Sequence, residues 1–510
     1  MRTEEKSNVK NSISRLVVVG ICILLQVGWL CLLVIRLNRH FAWISLVSSL
    51  LAVVLVIRIY ISNGNAAFKM PWMILLLVFP PLGVMLWLMF GHSGACAPMR
   101  KRFDRIQKLY EPYRLRPDDA LREAEASDPA AANQMRYVRD YAGYPVYTDT
   151  SVQYYSDAME GFLAQLEALE QAEHFIFMEY HAIEEAKSFG MLRDVLARKA
   201  AQGVEVRIFY DDMGSIGFIN LDFIQRMQSL GIACRAFNPV LPFLNIFMNN
   251  RDHRKITVID GKVGFTGGYN LADEYFNMTH PYGTWKDTGV KLTGAAVRSL
   301  TLMFLEMWNS DKHTDTDISA YLPECTAEGA GFVQPYADTP LDAEYVGENV
   351  YLNLIGAAKH RIYITTPYLI ISDEMTRALG LAAKRGVDVR IITPGIPDKK
   401  VIYQVTRSYY AQLARQGVRI YEYTPGFLHA KQMLCDSSAA AIGTINMDYR
   451  SLYHHFENGV LLWDCPALAD MAEDFEHLFQ ESAEVTGQYC SRPRAMRIGQ
   501  ALLRLFAPLL

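Results

Sequence analysis

Two stretches decide how this 510-residue chain is read: DHRKITVIDGKVGFTGGYN at residues 252–270 and LHAKQMLCDSSAAAIGTIN at residues 428–446. Each carries a His, a Lys two places on, an Asp, and a Gly-x-x-Asn ending. A constant offset of 176 residues separates His253 from His429, Lys255 from Lys431, Asp260 from Asp436 and Asn270 from Asn446. One His-x-Lys is a common accident of surface composition. Two copies with matching Asp and Asn positions point to a duplicated unit that carries a site.

The apolar runs after these pairs, Ile256 to Ile259 and Gln432 to Cys435, read as strands. Residues two apart on a strand share a face, so each His points with its Lys. Asp260-Gly261 reads as a tight hairpin turn. Further upstream the repetition continues. His174 to Tyr180 and Arg361 to Tyr368 read as strands, followed by helical patterns at Phe189 to Ala201 and around Glu374 to Arg385. GVEVRI at 203–208 and GVDVRI at 386–391 come next and differ at one acidic residue. A recurring β-α-β pair of this kind predicts a duplicated α/β fold with parallel strands. The expected units are a first repeat over 142–315, a linker over 316–340 and a second repeat over 341–488. Two halves about a pseudo-twofold axis would bring His253, Lys255, His429 and Lys431 into one pocket.

That group of side chains suits a phosphodiester. One imidazole can attack phosphorus while the other protonates the departing alkoxide and later deprotonates the incoming alcohol. The lysines, Asn270, Asn446 and backbone N–H groups near Gly267, Gly268, Gly443 and Thr444 are expected to bind the phosphate oxygens. The charge balance needs no metal, and no cofactor is expected. Asp260 and Asp436 either act electrostatically or form turns. Asp287 in WKD and Glu457 in FENG are candidates to orient an imidazole through its second nitrogen, the alternative being solvated surface acids. Asp211-Asp212 reads as a strand-end loop. His454 and His455, adjacent on a strand, would point oppositely, so no joint role is expected.

Composition separates the chain into two unlike parts. Hydrophobic residues make up 51% and charged residues 20%, which excludes a disordered chain, a collagen-like fibre and a coiled coil. The mean hydropathy of +0.05 is high for a typical soluble enzyme and low for membrane helices alone. The net charge of −4 provides no global basic field for nucleic acid. Eight cysteines, with no C-x-x-C pair, are too sparse for a disulfide framework or a zinc site and read as scattered reduced thiols.

Residues 1–95 read as a membrane region with spans near 16–35 and 41–59, each long enough for a bilayer core of about 30 Å. A third apolar run, 71–90, is broken by Pro80-Pro81 and either turns back or crosses as a kinked helix. Basic residues precede the first run (Arg2, Lys6, Lys10, Arg15) and follow the third (Arg100, Lys101, Arg102, Arg105, Lys108). If positive flanks stay inside, both ends and the bulk of the chain are cytoplasmic. Residues 96–141 read as a basic helical linker beside the membrane. The apolar loop Leu241 to Met248 either dips into the bilayer or forms a buried strand. The tail 489–510, with Arg492, Arg494, Arg497 and Arg504 among leucines, is either an interfacial helix or packs on the rest of the chain.

The two motifs resemble the H-x-K-x4-D plus G-[GST]-x-N pattern of the phospholipase D superfamily. PWMILLLVFPPLGVMLWLMFG at 71–91, ITTPY at 364–368, NMDYRS at 446–451 and RLFAPLL at 504–510 extend the resemblance to bacterial cardiolipin synthases of that superfamily over nearly the whole chain. The resemblance implies a membrane-bound phosphatidyltransferase that makes cardiolipin and glycerol from two phosphatidylglycerol molecules through a phosphohistidine. It matches His253 and His429 to the nucleophile and acid/base, with a preference for His253 as nucleophile, and Lys255, Lys431, Asn270 and Asn446 to phosphate contacts. Gly268 departs from the Ser often found there, whereas Thr444 keeps a hydroxyl. The D-x2-D-G-x2-A-R signature of the CDP-diacylglycerol-dependent class is absent. The competing readings are a membrane phospholipase D hydrolase, a phosphatidyltransferase to another alcohol, and an inactive membrane scaffold. Phosphatidylglycerol and anionic lipids are the expected partners, and nucleic acid is not.

Overall fold

FIFMEY at residues 175–180 is buried along its whole length. A strand with no solvent face belongs in the middle of a sheet covered on both sides. The computed structural model, which describes residues 2–40, 42–62, 64–91, 97–114, 118–240, 249–490 and 504, contains two such sheets.

The first comprises β1 (Thr150–Tyr155), β2 (Phe175–Tyr180), β3 (Glu205–Asp211), β4 (Ala233–Phe237), β6 (Lys255–Ile259), β7 (Val263–Gly267) and β9 (Gly289–Gly294), in the order β1-β9-β7-β6-β2-β3-β4. The second comprises β10 (Phe332–Asp338), β11 (Arg361–Thr365), β13 (Asp388–Pro394), β14 (Arg419–Tyr423), β16 (Gln432–Cys435), β17 (Ala439–Gly443), β19 (His455–Trp463) and β20 (Ser482–Glu484). Its order is β10-β19-β17-β16-β11-β13-β14-β20. Strand for strand, the first seven positions repeat the first sheet. β2, β3 and β4 run parallel, as do β11, β13 and β14, and the remaining pairs in both sheets are antiparallel. Helices cover the sheets, giving a duplicated α/β/α architecture.

Short strands cross between the halves. β5 (Arg251–Asp252) pairs in parallel with β19, with Arg251 opposite His455. β15 (Gly426–Leu428) pairs in parallel with β8 (Thr284–Lys286), with Phe427 opposite Trp285. Each crossing strand is the segment directly before a His-x-Lys pair, so tertiary pairing delivers each pair to the opposite half. The remaining short strands, β12 (Leu369–Ile370) and β18 (Met447–Asp448), pair with each other inside the second half.

Two expected boundaries are corrected. The stretch 316–340 is not all linker, because β10 begins at Phe332 and pairs over seven residues with β19. The basic stretch 96–141 is helical but belongs to the body of the protein. In α5 (Ala97–Arg114; α1 to α4 are defined below), Phe103, Ile106 and Tyr110 fall on one face at helical spacing and join the main core. Arg114 donates through Nε to the buried Glu306 at 2.9 Å. Lys101, Arg102, Arg105 and Lys108 line the opposite, exposed face.

The N-terminal region is four helices: α1 (Arg2–His40), α2 (Ala42–Ile61), α3 (Ala66–Val78) and α4 (Pro80–Phe90). The apolar windows Val17–Arg36 and Trp43–Ile61 make α1 and α2 long and apolar enough to cross a membrane. The third apolar run breaks at Phe79, whose φ −131° and ψ 67° end α3, while Pro80 and Pro81 open α4. Proline costs nothing there, because the first N–H groups of a helix have no partner within it. The loop 241–248 and the tail beyond 490, Arg504 excepted, lie outside the described residues.

Candidate active site

His253 and His429 each follow a crossing strand, and each meets a carboxylate of the other half. His253 Nδ1 lies 2.9 Å from Glu457 Oε1 and 3.0 Å from Oε2. His429 Nδ1 lies 2.6 Å from Asp287 Oδ2. All four side chains are buried. A carboxylate at Nδ1 holds the N–H there and leaves the lone pair on Nε2, the tautomer of an imidazole ready to attack or to take a proton. The sequence nominated both acids, and the fold determines which acid meets which imidazole.

The lysines lie beside the imidazoles. Lys255 donates to the His253 carbonyl at 2.6 Å, and Lys431 Nζ lies 2.6 Å from His429 Nδ1 and bonds the His429 carbonyl. Burial is the largest influence on all four groups. It pushes Lys255 down to about 8 and Lys431 to about 7, and it lowers His253 to about 3 and His429 to about 4, against the pull of their carboxylates. Burial also opposes charge on the acids, yet the positive groups beside them win. His253 holds Glu457, and Lys431 with His429 holds Asp287, below the ordinary carboxylate range. The charge on Lys255 lowers both His429 and Lys431, so the two motifs lie within electrostatic reach of each other.

Other expected residues take different places. Asp260 and Asp436 are not at the site. At about 3.3 Å per residue, β6 carries Asp260 roughly 16 Å beyond Lys255. There its carboxylate accepts the N–H groups of Glu173, His174 and Phe175, each at 2.8 Å. Asp436 does the same for Lys359, His360 and Arg361 at 3.0, 2.8 and 2.9 Å. Both adopt positive φ, 52° and 53°, so each turns its hairpin and pins the start of the neighbouring strand. Asp260→Ala is expected to cost about 2–4 kcal/mol of stability by leaving three N–H groups without an acceptor, with turnover per folded molecule retained. Denaturant titration beside activity at low temperature checks this.

The backbone near the glycines is also committed. Gly268 N–H donates to the Thr288 carbonyl, Gly443 N–H to Lys431 and Thr444 N–H to Asn458. These groups therefore do not face a phosphate. A Cβ at Gly267 would stand 2.5 Å from the Thr288 carbonyl oxygen, and one at Gly443 2.4 Å from that of Asn458, so these glycines allow close approach of strands. Gly268 has its own reason: a Cβ would stand 2.0 Å from Asp287 Oδ1. The carboxylate that meets His429 fills that space, whereas in the second half the Thr444 hydroxyl donates to Glu457. Asn270 accepts from Ala182 N–H at 3.2 Å and donates to the Tyr275 hydroxyl at 2.7 Å. Asn446 Oδ1 is buried with no hydrogen-bond partner among the described residues.

Asp211 and Asp212 serve the frame. Asp211 accepts from Gly214 N–H, Arg251 Nε and Asp252 N–H, and Asp212 from Val240 N–H.

Sequence reasoning missed His181 and His455. The His253 ring lies 4.9 Å from that of His181 and 5.5 Å from that of His455. His181 Nδ1 donates to the Asp252 carbonyl at 2.7 Å. His454 and His455 do point apart, His454 toward Phe68 and His455 toward His253. The missed signal was spacing: His455 stands two residues before Glu457 and shares its strand face. The surroundings of His429 are aromatic instead, with Tyr275, Trp285 and Phe427 at 5.2, 5.3 and 5.8 Å. Among the described residues, one set of possible metal ligands, His253, His455 and Glu457, falls within 4.8 Å of one another. Glu457 accepts from His253 and Thr444, whereas neither ring nitrogen of His455 has a hydrogen-bond partner among the described residues.

Known proteins resemble this chain. A family model described as "Cardiolipin synthase, PLD-like domain" matches residues 166–293 and 351–479, and one described as "Phospholipase_D-nuclease N-terminal" matches 49–92. The chain is 40% identical over 442 residues to an uncharacterized protein of Streptococcus mutans serotype c, covering 86% of this chain and 96% of that one. It is 33% identical over 488 residues to a cardiolipin synthase of Halalkalibacterium halodurans, covering 93% and 96%, and 35% identical over 459 residues to one of Geobacillus thermodenitrificans, covering 89% and 91%. The solved structure of phosphatidylserine synthase from Haemophilus influenzae Rd KW20 superposes with a TM-score of 0.55 at 14% identity, over 73% of this chain and 97% of that one, a likeness of fold alone. With the duplicated domain matched at both motifs and relatives above 30% identity along most of its length, the chain belongs to the cardiolipin synthase family of phospholipase D-type enzymes.

Proposed function

We propose that this enzyme makes cardiolipin and glycerol from two phosphatidylglycerol molecules, in one pocket shared by two halves about a pseudo-twofold axis. The observation that carries the reading is the crossed pairing, His253 with Glu457 and His429 with Asp287. Neither half can orient its own imidazole, so a working site requires both.

His253 takes the attacking role, as the family resemblance suggests. Its Nε2 forms a bond to phosphorus, the bond from phosphorus to the glycerol oxygen breaks, and His429, which takes up a proton on Nε2 when the anionic phosphate binds beside it, gives that oxygen this proton. Glycerol leaves. A hydroxyl of the second phosphatidylglycerol then attacks the phosphohistidine and passes its proton to His429 as the N–P bond breaks. Lys255, Lys431, Asn270 and Asn446 stabilise the phosphoryl oxygens throughout. An anchored pocket meets lipid headgroups at high local concentration, which favours alcohol over water as acceptor. The basic flanks of the membrane region support a cytoplasmic catalytic body.

The test is a product profile. Full-length protein in phosphatidylglycerol vesicles is expected to release cardiolipin and glycerol without CTP or CDP-diacylglycerol, at a rate unchanged by EDTA. Phosphatidic acid as the sole product would move the reading to a hydrolase, and dependence on EDTA-removable metal would require another mechanism.

The lysines give a pH signature. Their values fall from the ordinary 10.5 to about 8 and about 7, and a lysine carries charge only below its pKa. KM for the anionic lipid is therefore expected to rise as pH climbs from about 7 to 9. A flat KM across that range, on vesicles of fixed composition, would count against phosphate binding by this pair.

A further inference from the structure

Neither arm of the third apolar run is long enough to cross a bilayer by itself. α3 has 13 residues and α4 has 11, about 20 and 16 Å at 1.5 Å per residue, against a core of about 30 Å. The two arms fold back on each other from Phe79: a Cβ at Gly83 would stand 2.8 Å from Leu75 O and Leu76 Cα. Their outer ends return to the same level of α2. Lys69, near the start of α3, donates to the carbonyls of Tyr60 and Ser62 at the end of α2. Trp87, near the end of α4, lies under the Arg58 guanidinium at 5.7 Å. Leu76, Val84 and Trp87 are buried against Ala52, Leu55 and Ile59 of α2. Ile74, Leu77, Val78 and Phe79 remain exposed and apolar.

This region grips the catalytic body at two places. At the corner between α2 and α3, Asn65 donates to the Tyr453 hydroxyl at 2.8 Å, and Phe68 packs edge-on against Tyr449, Tyr453 and His454 at 5.0 to 5.4 Å. In α1, Val19 and Ile23 pack with Met213, Ile216 and Val240. Val19 and Ile23 lie about 3–9 Å inside the apolar window that begins at Val17, at 1.5 Å per residue. The catalytic body therefore reaches that depth, and beside this contact Phe218 and Leu221 are 44% and 83% exposed.

Both gripping segments lead directly to His253. The Met213–Leu221 segment follows Asp211, which holds Arg251 and Asp252 N–H. The turn Tyr449–Tyr453 precedes His455 and Glu457.

We propose that α3 and α4 form a re-entrant hairpin in a single leaflet, that Met213–Leu221 dips into the same leaflet, and that lipids reach His253 laterally between the two gripping points. The partner is the acyl region of that leaflet, continuous with the surface of α1. The lipid-access part rests on the phosphatidyl-transfer reading; the topology does not.

Impermeant thiol labelling of the full chain in right-side-out and inverted vesicles, with accessible native cysteines replaced, tests the topology. Gly64→Cys and Lys101→Cys are expected to react from one face, Asn38→Cys from the other, and Phe79→Cys from neither. Reaction of Phe79→Cys on the Asn38 side, or of positions 64 and 101 from opposite faces, would overturn the hairpin. For access, Leu221→Asp is expected to lower turnover on vesicles at least tenfold and to change turnover on monomeric short-chain phosphatidylglycerol less than twofold. Equal losses on both substrates, or no loss on either, would overturn the dipping segment. A wild-type protein that transfers no phosphatidyl group would sink the functional reading and leave the labelling result standing.

Discussion

Replacing either imidazole, His253→Ala or His429→Ala, is expected to lower phosphatidyl transfer from phosphatidylglycerol by at least about a thousandfold. Each removes one half of a two-step exchange: without the nucleophile no phosphohistidine forms, and without the acid an alkoxide must leave unprotonated. The two variants separate when the leaving group changes. A phosphatidyl ester of p-nitrophenol leaves without a proton, so His429→Ala is expected to regain p-nitrophenol release on it, whereas His253→Ala is not. The opposite pattern would exchange the two roles, and full activity in either variant would end the shared-pocket mechanism. Because the residues act as one unit, the double variant is expected to lose little more than the worse single one.

Glu457→Gln and Asp287→Asn are each expected to lower kcat by about a hundredfold or more, with KM little changed. The effect arises through the imidazole. Glu457 is fully buried and touches His253 through Nδ1. An amide of the same shape offers an N–H in place of one carboxylate oxygen, so the imidazole proton is no longer held at Nδ1 and the lone pair at Nε2 is compromised. The loss should appear in the half that did not receive the substitution, since Glu457 belongs to the second half and His253 to the first. Measuring p-nitrophenol release again distinguishes the pair. Asp287→Asn, acting on His429, should be partly relieved by the activated ester, and Glu457→Gln should not. Equal relief in both, or an unchanged kcat in either, would separate these carboxylates from imidazole orientation.

Much of the candidate site was legible before any fold was known, because a repeat of constant offset marked His253, Lys255, His429 and Lys431 as one device. The shared strand face expected of each His and Lys did not follow, since β6 begins only at Lys255 and β16 at Gln432. The break at Pro80-Pro81 was equally local, since proline lacks the N–H that a helix interior requires. Asp260 and Asp436 misled for the same local reason: a motif shows which residues recur and does not show that the length of β6 carries one of them out of reach. His181 and His455 escaped because the segments beside them recur in the other half but the histidines themselves do not.

By itself the sequence determined the duplication, the two His-x-Lys pairs proposed to meet a phosphodiester, and an apolar N-terminal region unlike the rest. Those follow from periodicity and composition, which are properties of neighbours along the chain. Only the tertiary structure decided that Glu457 serves His253 and Asp287 serves His429, across separations of 204 and 142 residues. It also decided that the basic stretch after the membrane region is packed core, and that Gly268 yields its space to a carboxylate. Such pairings depend on how β5 meets β19 and β15 meets β8. Strand pairing between distant segments is set by the burial of whole sheets, and no local period records it.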